Sequence, residues 1–129
     1  MPLLFLIKTI GFFLMRSPKW KGSRHVVPGA RIELGETIKE ALKRGIKKET
    51  NLEIPNIEFI GMKEFVFGKE FYKKRHFIFL DYFCRARSEK VILDGEEGTE
   101  YIWVSVKEAL NLSIGKFTKV GILQCKDKI

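Results

Sequence analysis

Two periods of apolar and polar positions alternate along this chain. Residues 3–10 and 11–16 are nearly continuous apolar runs, which reads as a pair of buried strands. Further runs rich in β-branched and aromatic residues lie at 25–27, 57–66, 77–85 and 101–104. Turn chemistry separates them at Ser17-Pro18, Lys21-Gly22-Ser23, Gly68-Lys69 and Asp94-Gly95. Between 37 and 50 the period changes: Ile38, Ala41, Leu42 and Ile46 recur at three- and four-residue spacing and form one helical stripe. Thr37 followed by Glu40 supplies a capping box at its start. Asn51 tolerates the left-handed conformation that ends a helix. Shorter helices are predicted at 106–110 and about 115–124. Strands mixed with few helices predict an α/β or α+β sandwich.

The 129 residues predict a single domain spanning 1–129, with enough chain to bury a core. Hydrophobic residues make up 45% and charged residues 31%, the balance of a soluble globular protein. The N-terminal run is apolar, but Lys8 interrupts it, it is too short to span a bilayer, and it has no basic leader or small-residue cleavage site. Cys84 and Cys125 match no metal or redox spacing and read as reduced thiols, so the expected location is cytoplasmic, with no membrane partner. A net charge of +8 favours anionic partners such as nucleotides, diphosphates or RNA without choosing among them.

The segment at 30–52, ARIELGETIKEALKRGIKKETNL, resembles the Nudix box, G-x5-E-x7-R-E-U-x-E-E-x-G-U, where U is a bulky aliphatic residue. Glu36, Arg44, Ile46, Glu49 and Leu52 fall on the pattern; Ala30, Gly45, Lys48 and Asn51 depart from it. Phe13 to Arg16, the Val26-Val27-Pro28-Gly29 lead-in and the later Glu97-Gly98-Thr99-Glu100-Tyr101-Ile102-Trp103-Val104 also match the family in character. The resemblance implies a Nudix-type α/β/α sandwich with a mixed sheet flanked by helices. It also implies hydrolysis of nucleoside diphosphate derivatives with Mg²⁺, since a divalent ion neutralises the diphosphate and prepares the attacking water.

Hard cations take oxygen ligands, and the family supplies three glutamates at i, i+3 and i+4 on one helix face. Here those positions are Gly45, Lys48 and Glu49. Gly45 removes a ligand and costs about 1 kcal/mol relative to Ala inside a helix, with no compensating feature visible in the sequence. Lys48 replaces a ligand with an ammonium that repels Mg²⁺; Glu49 beside it favours the charged form, so the Lys48–Glu49 neighbourhood is nearly neutral and needs no metal, and Lys48 could meet a phosphate as a point charge. By the resemblance, Glu49, Glu36 and a remote carboxylate, Glu97 in preference to Glu100, are the candidate metal ligands. Arg44 pairs with a box carboxylate and locks the helix, so the candidate catalytic set is Glu49, Glu36 and Arg44. Activity is expected to be weak or lost, and Mg²⁺ binding weak or absent.

The other reading is a non-catalytic module that keeps the cleft for a nucleotide or RNA. Arg31, Lys48 and Trp20 are its candidate substrate-binding residues. Trp20 lies in a basic stretch between Arg16 and Arg24, and Lys69 to His76 form a second one, where rings could stack on bases. Taken alone, each reads as an exposed basic turn. Lys39, Lys43 and Lys47 recur every four residues as a solvated helix face. His76 reads as a strand-end residue and Phe77 and Phe79 as core. A structural role in a larger complex has no specific sequence support, and no feature fixes an oligomeric state.

Overall fold

The computed structural model describes residues 1–8, 11–21, 25–86 and 90–128, with Leu6 and Lys8 described by their backbone alone. The end of the first predicted strand, Thr9 and Ile10, and the predicted turn at Gly22-Ser23 with Arg24 lie outside the described residues. The elements run β1 (Pro2–Lys8), β2 (Gly11–Arg16), β3 (His25–Val26), α1 (Ile38–Thr50), β4 (Glu58–Val66), β5 (His76–Arg85), β6 (Glu100–Val104), α2 (Val106–Leu110) and α3 (Lys116–Cys125).

Five strands take the order β3-β2-β1-β5-β4, and β6 pairs with β2. β1 is parallel to β5, from Pro2 opposite Leu80 to Ile7 opposite Arg85. The pairs β1–β2, β2–β3, β2–β6 and β4–β5 are antiparallel. The sheet is therefore mixed, as the family resemblance implies.

The apolar runs of β1 and β2 serve two cores. Leu3, Phe5, Ile7, Phe12 and Leu14 pack on one side with Phe79, Ala109 and Ile122. Leu4, Phe13 and Met15 pack on the other with Leu42, Ile46 and Leu52. Period-two alternation sends successive side chains to opposite faces, so a strand covered on both sides must be apolar throughout. α1 covers one face; α2 and α3 cover the other. The α3 contact is close: a Cβ on Gly121 would fall 1.8 Å from Phe5 Cζ, so only glycine lets the helix approach here. Lys63 Nζ reinforces that contact, lying 2.7 Å from Asp81 Oδ2 and donating to the Phe117 carbonyl at 2.7 Å. Cys84 and Cys125 are buried, unpaired thiols, and burial pushes both pKa values up to about 12. Among the described residues, no helix is long and apolar enough to cross a membrane.

Candidate functional site

The start of α1 is built by local hydrogen bonds that the sequence predicts. The Thr37 hydroxyl accepts from the Glu40 N–H at 3.1 Å, and the Glu40 carboxylate accepts from the Thr37 N–H at 3.0 Å. At the far end Asn51 adopts φ 67°, donates its N–H to the Lys47 carbonyl, and donates its side-chain amide to the Lys90 carbonyl. The loop entering the helix is held by Arg44. Its Nε donates to Glu36 Oε2 at 2.7 Å, and its Nη2 donates to Glu36 Oε1 at 3.0 Å and to the Arg31 carbonyl at 2.7 Å. Glu36 also accepts from the Glu33 N–H at 2.9 Å. The Arg44 hydrogen bonds, and next the Glu33 N–H, hold the Glu36 carboxyl below its ordinary pKa. Both Glu36 oxygens are thus occupied in positioning the loop. Arg44→Lys would lose the planar fork. We expect faster proteolysis within residues 31–36 at unchanged helical circular dichroism; equal cleavage rates would argue against this role.

The expectation that Gly45 goes uncompensated is overturned. Gly45 is buried, and a Cβ built on it would lie 2.6 Å from the Ala30 methyl, well inside contact distance. Ala30 cannot retreat, because its N–H donates to the Pro2 carbonyl and Pro28 accepts from the Leu4 N–H, clamping the segment along β1. Ala30 stands where the family pattern has glycine and Gly45 where it has glutamate. The two departures fill and vacate the same space.

Beside this junction opens a cleft of about 410 Å³, within the range of small-molecule sites. Trp20, Phe71, Tyr72, Phe77, Phe79 and Phe117 form an aromatic wall. The loop carrying Lys19 and Trp20 is sewn to the tip of the β4–β5 hairpin: the Tyr72 N–H donates to the Lys19 carbonyl, and the Lys21 N–H to the Glu70 carbonyl. Trp20 packs edge-on against Phe71, with centroids 5.0 Å apart, and against Phe65 at 5.5 Å. It is a wall of the cleft fixed by its neighbours. Lys19, Arg31, Lys73 and Arg75 supply positive charge, and Glu49, Glu70 and Glu97 negative charge.

The acidic corner is assembled from two distant segments. Glu49 comes from the last turn of α1. Glu97 comes from the loop before β6, which is laced to that turn by the Ile92 N–H donating to the Thr50 carbonyl and the Asp94 N–H to the Glu49 carbonyl. Asp94 Oδ1 then accepts from the Glu96 and Glu97 N–H groups, both at 3.0 Å, and sets the loop. Glu49 Oε2 is buried and has no hydrogen-bond partner among the described residues. Burial pushes the Glu49 carboxyl up to about 8, with repulsion from Glu97 and Asp94 adding and Lys19 and Lys48 opposing. Glu97 is already engaged, because Lys19 Nζ donates to its Oε1 in a direct ion pair. That hydrogen bond, outweighing partial burial, raises the Lys19 pKa above its ordinary value.

Of the residues singled out from the sequence, Glu49, Glu97, Arg31 and Trp20 share the cleft. Glu36 and Arg44 pair with each other outside the cleft lining. Lys48 is exposed and outside the cleft lining, acting on Glu49 only through its charge. His76 is a hairpin residue 3.0 Å from Glu64. Lys19, which the sequence marks only as one cation of the basic stretch around Trp20, lines the cleft as well. The donor set does not fit a two-metal clamp. Among the described residues no three His, Cys, Asp or Glu side chains converge on one point, and one of the two cleft carboxylates beside α1 is neutralised by a lysine.

The chain superposes on the Nudix domain of Shewanella oneidensis NrtR, solved with ADP ribose, with a TM-score of 0.80 at 13% identity, covering 98% of this chain and 85% of that one. A MutT protein from Bacillus halodurans superposes with a TM-score of 0.76 at 22% identity, covering 95% and 78%. These likenesses establish the α/β/α sandwich. Over 54 residues the chain is 30% identical to the NAD-capped RNA hydrolase NudC of Vibrio vulnificus (strain CMCP6), a stretch that is 42% of this chain and 21% of that protein. The NUDIX domain pattern matches residues 4–123, nearly the whole fold described above, and the chain belongs to the Nudix family.

Proposed function

We propose that this Nudix domain binds a nucleotide or another diphosphate-containing small molecule in the aromatic and basic cleft, and that metal-dependent hydrolysis there is weak or lost. One observation carries the reading: α1 presents a single carboxylate, Glu49, to the cleft, and the nearest remote one, Glu97, is paired with Lys19. The aromatic wall suits a base, and Arg31, Lys73 and Arg75 suit phosphates. The bound ADP ribose in the NrtR domain supports a nucleotide diphosphate ligand. The basic hairpin tip, Lys73 to Arg75, with the NudC likeness, supports a second reading in which the nucleotide is the end of an RNA.

The test is Mg²⁺-dependent monophosphate or phosphate release from ADP-ribose, dinucleoside polyphosphates, nucleotide sugars and nucleoside triphosphates. The natural chain would run beside an Ala30→Gly/Gly45→Glu variant, in which the glycine at 30 makes room for the new glutamate. The variant is expected to turn over at least about tenfold faster, because each ligand added to the metal site strengthens charge stabilisation. Chelator-sensitive turnover by the natural chain at the variant's rate would refute the reading.

A further inference from the structure

The Lys19–Glu97 pair lines the same cleft as Glu49, Arg31 and the aromatic wall. Lys19 reaches this point from the loop before the hairpin contact, and its backbone is fixed by the Tyr72 N–H and by its own N–H donating to Ser17 Oγ at 3.3 Å. Its side chain remains about one third exposed, as does that of Glu97, so the ammonium faces the cleft and not the core. An ammonium has three donors. Glu97 takes one, leaving two for oxygens of a ligand. Glu49 lies close enough for Lys19 to act on its charge, and Arg31 close enough to act on that of Lys19. The aromatic wall of Trp20, Phe71 and Tyr72 closes one side.

We propose that Lys19 is the resident cation of this cleft: its ammonium bridges Glu97 and the ligand's diphosphate and takes the electrostatic place of a divalent ion. A tethered ammonium needs no ligand shell of three carboxylates, so the losses at positions 45 and 48 become tolerable. A divalent ion entering the corner would have to displace a lysine already paired with Glu97. The inference rests on the cleft receiving a phosphate-bearing ligand, as proposed above.

Calorimetric titration of the full chain with inorganic pyrophosphate, in excess EDTA and in Mg²⁺, tests it, with ADP-ribose as a separate titrant. Pyrophosphate is expected to bind equally well in both buffers. Lys19→Met should weaken it by about tenfold or more in EDTA, and Lys19→Arg should retain most of the affinity. Glu97→Gln keeps the lysine and removes a like charge from the phosphates, so it should tighten binding; this arm stands even where Lys19→Met folds poorly. Free Mn²⁺ followed by electron paramagnetic resonance should be taken up more tightly by Lys19→Met than by the natural chain. Binding that needs Mg²⁺, an unchanged Lys19→Met, a weakened Glu97→Gln, or equal Mn²⁺ uptake would each overturn the role of Lys19. Failure of ADP-ribose alone, with pyrophosphate behaving as expected, would overturn the nucleotide reading and leave Lys19 in place.

Discussion

Gly45→Glu alone is expected to destabilise the protein by about 2 kcal/mol, and Ala30→Gly introduced with it to recover most of that loss. The warrant is the 2.6 Å approach of any Cβ at 45 to the Ala30 methyl, in a segment whose backbone is pinned to β1. Helix propensity alone predicts the opposite sign, since replacing glycine inside a helix gains up to about 1 kcal/mol. The overlap should win because neither α1 nor the Pro28 to Ala30 segment has room to move. Ala30→Gly by itself should cost about 1 kcal/mol, from the lost methyl and the freer unfolded chain. Urea denaturation of the two single variants, the double variant and the natural chain closes the cycle. A coupling energy of about 2 kcal/mol is expected; additive effects would remove the claim that these positions share one space.

Glu49→Gln is expected to stabilise the protein at alkaline pH. The Glu49 carboxyl has an ordinary value of 4.5 and is pushed up to about 8 by burial, chiefly, and by Glu97 and Asp94. The folded chain therefore holds the proton more tightly than the unfolded chain. Glu49 costs no stability below about 4.5, costs progressively more as pH rises towards about 8, and reaches its full cost above that. Glutamine is neutral throughout, so the gain over the natural chain should be near zero at pH 4 and about 1–2 kcal/mol at pH 9, after allowing for screening by cleft water. Paired denaturation curves across that range give the answer. A gain independent of pH, or a loss at pH 9, would show that Glu49 is ionised without strain in the folded protein.

Much of this fold is legible in the sequence because its determinants are local. The apolar runs of β1 and β2 must be covered on both faces, the Thr37–Glu40 box opens α1, and Asn51 closes it in the left-handed conformation. The box segment also carries the family. The compensation at Gly45 was not legible, because it depends on two backbones meeting side by side, fifteen positions apart along the chain (45 − 30). Lys19 was harder still. Its partner Glu97 is 78 positions away, and the two meet only after the loop at 17–21 docks on the hairpin tip and residues 90–97 dock on α1. Lys48, chosen from the pattern, is one position before Glu49, and that single step around the helix turns it out of the cleft and into solvent.

The pairing of β1 with β5 also bears on how the chain is made. Pro2 to Ile7 leave the ribosome well before their parallel neighbours, Leu80 to Arg85, which follow only after most of the domain has been synthesised. Two apolar strands destined for the middle of the sheet must wait for late partners, β5 for β1 and β6 for β2, and sheets closed by such distant contacts form slowly. Synthesis halted before β5 emerges should therefore leave a nascent chain that engages chaperones through β1 and β2, and release of β5 and then of β6 should end that engagement.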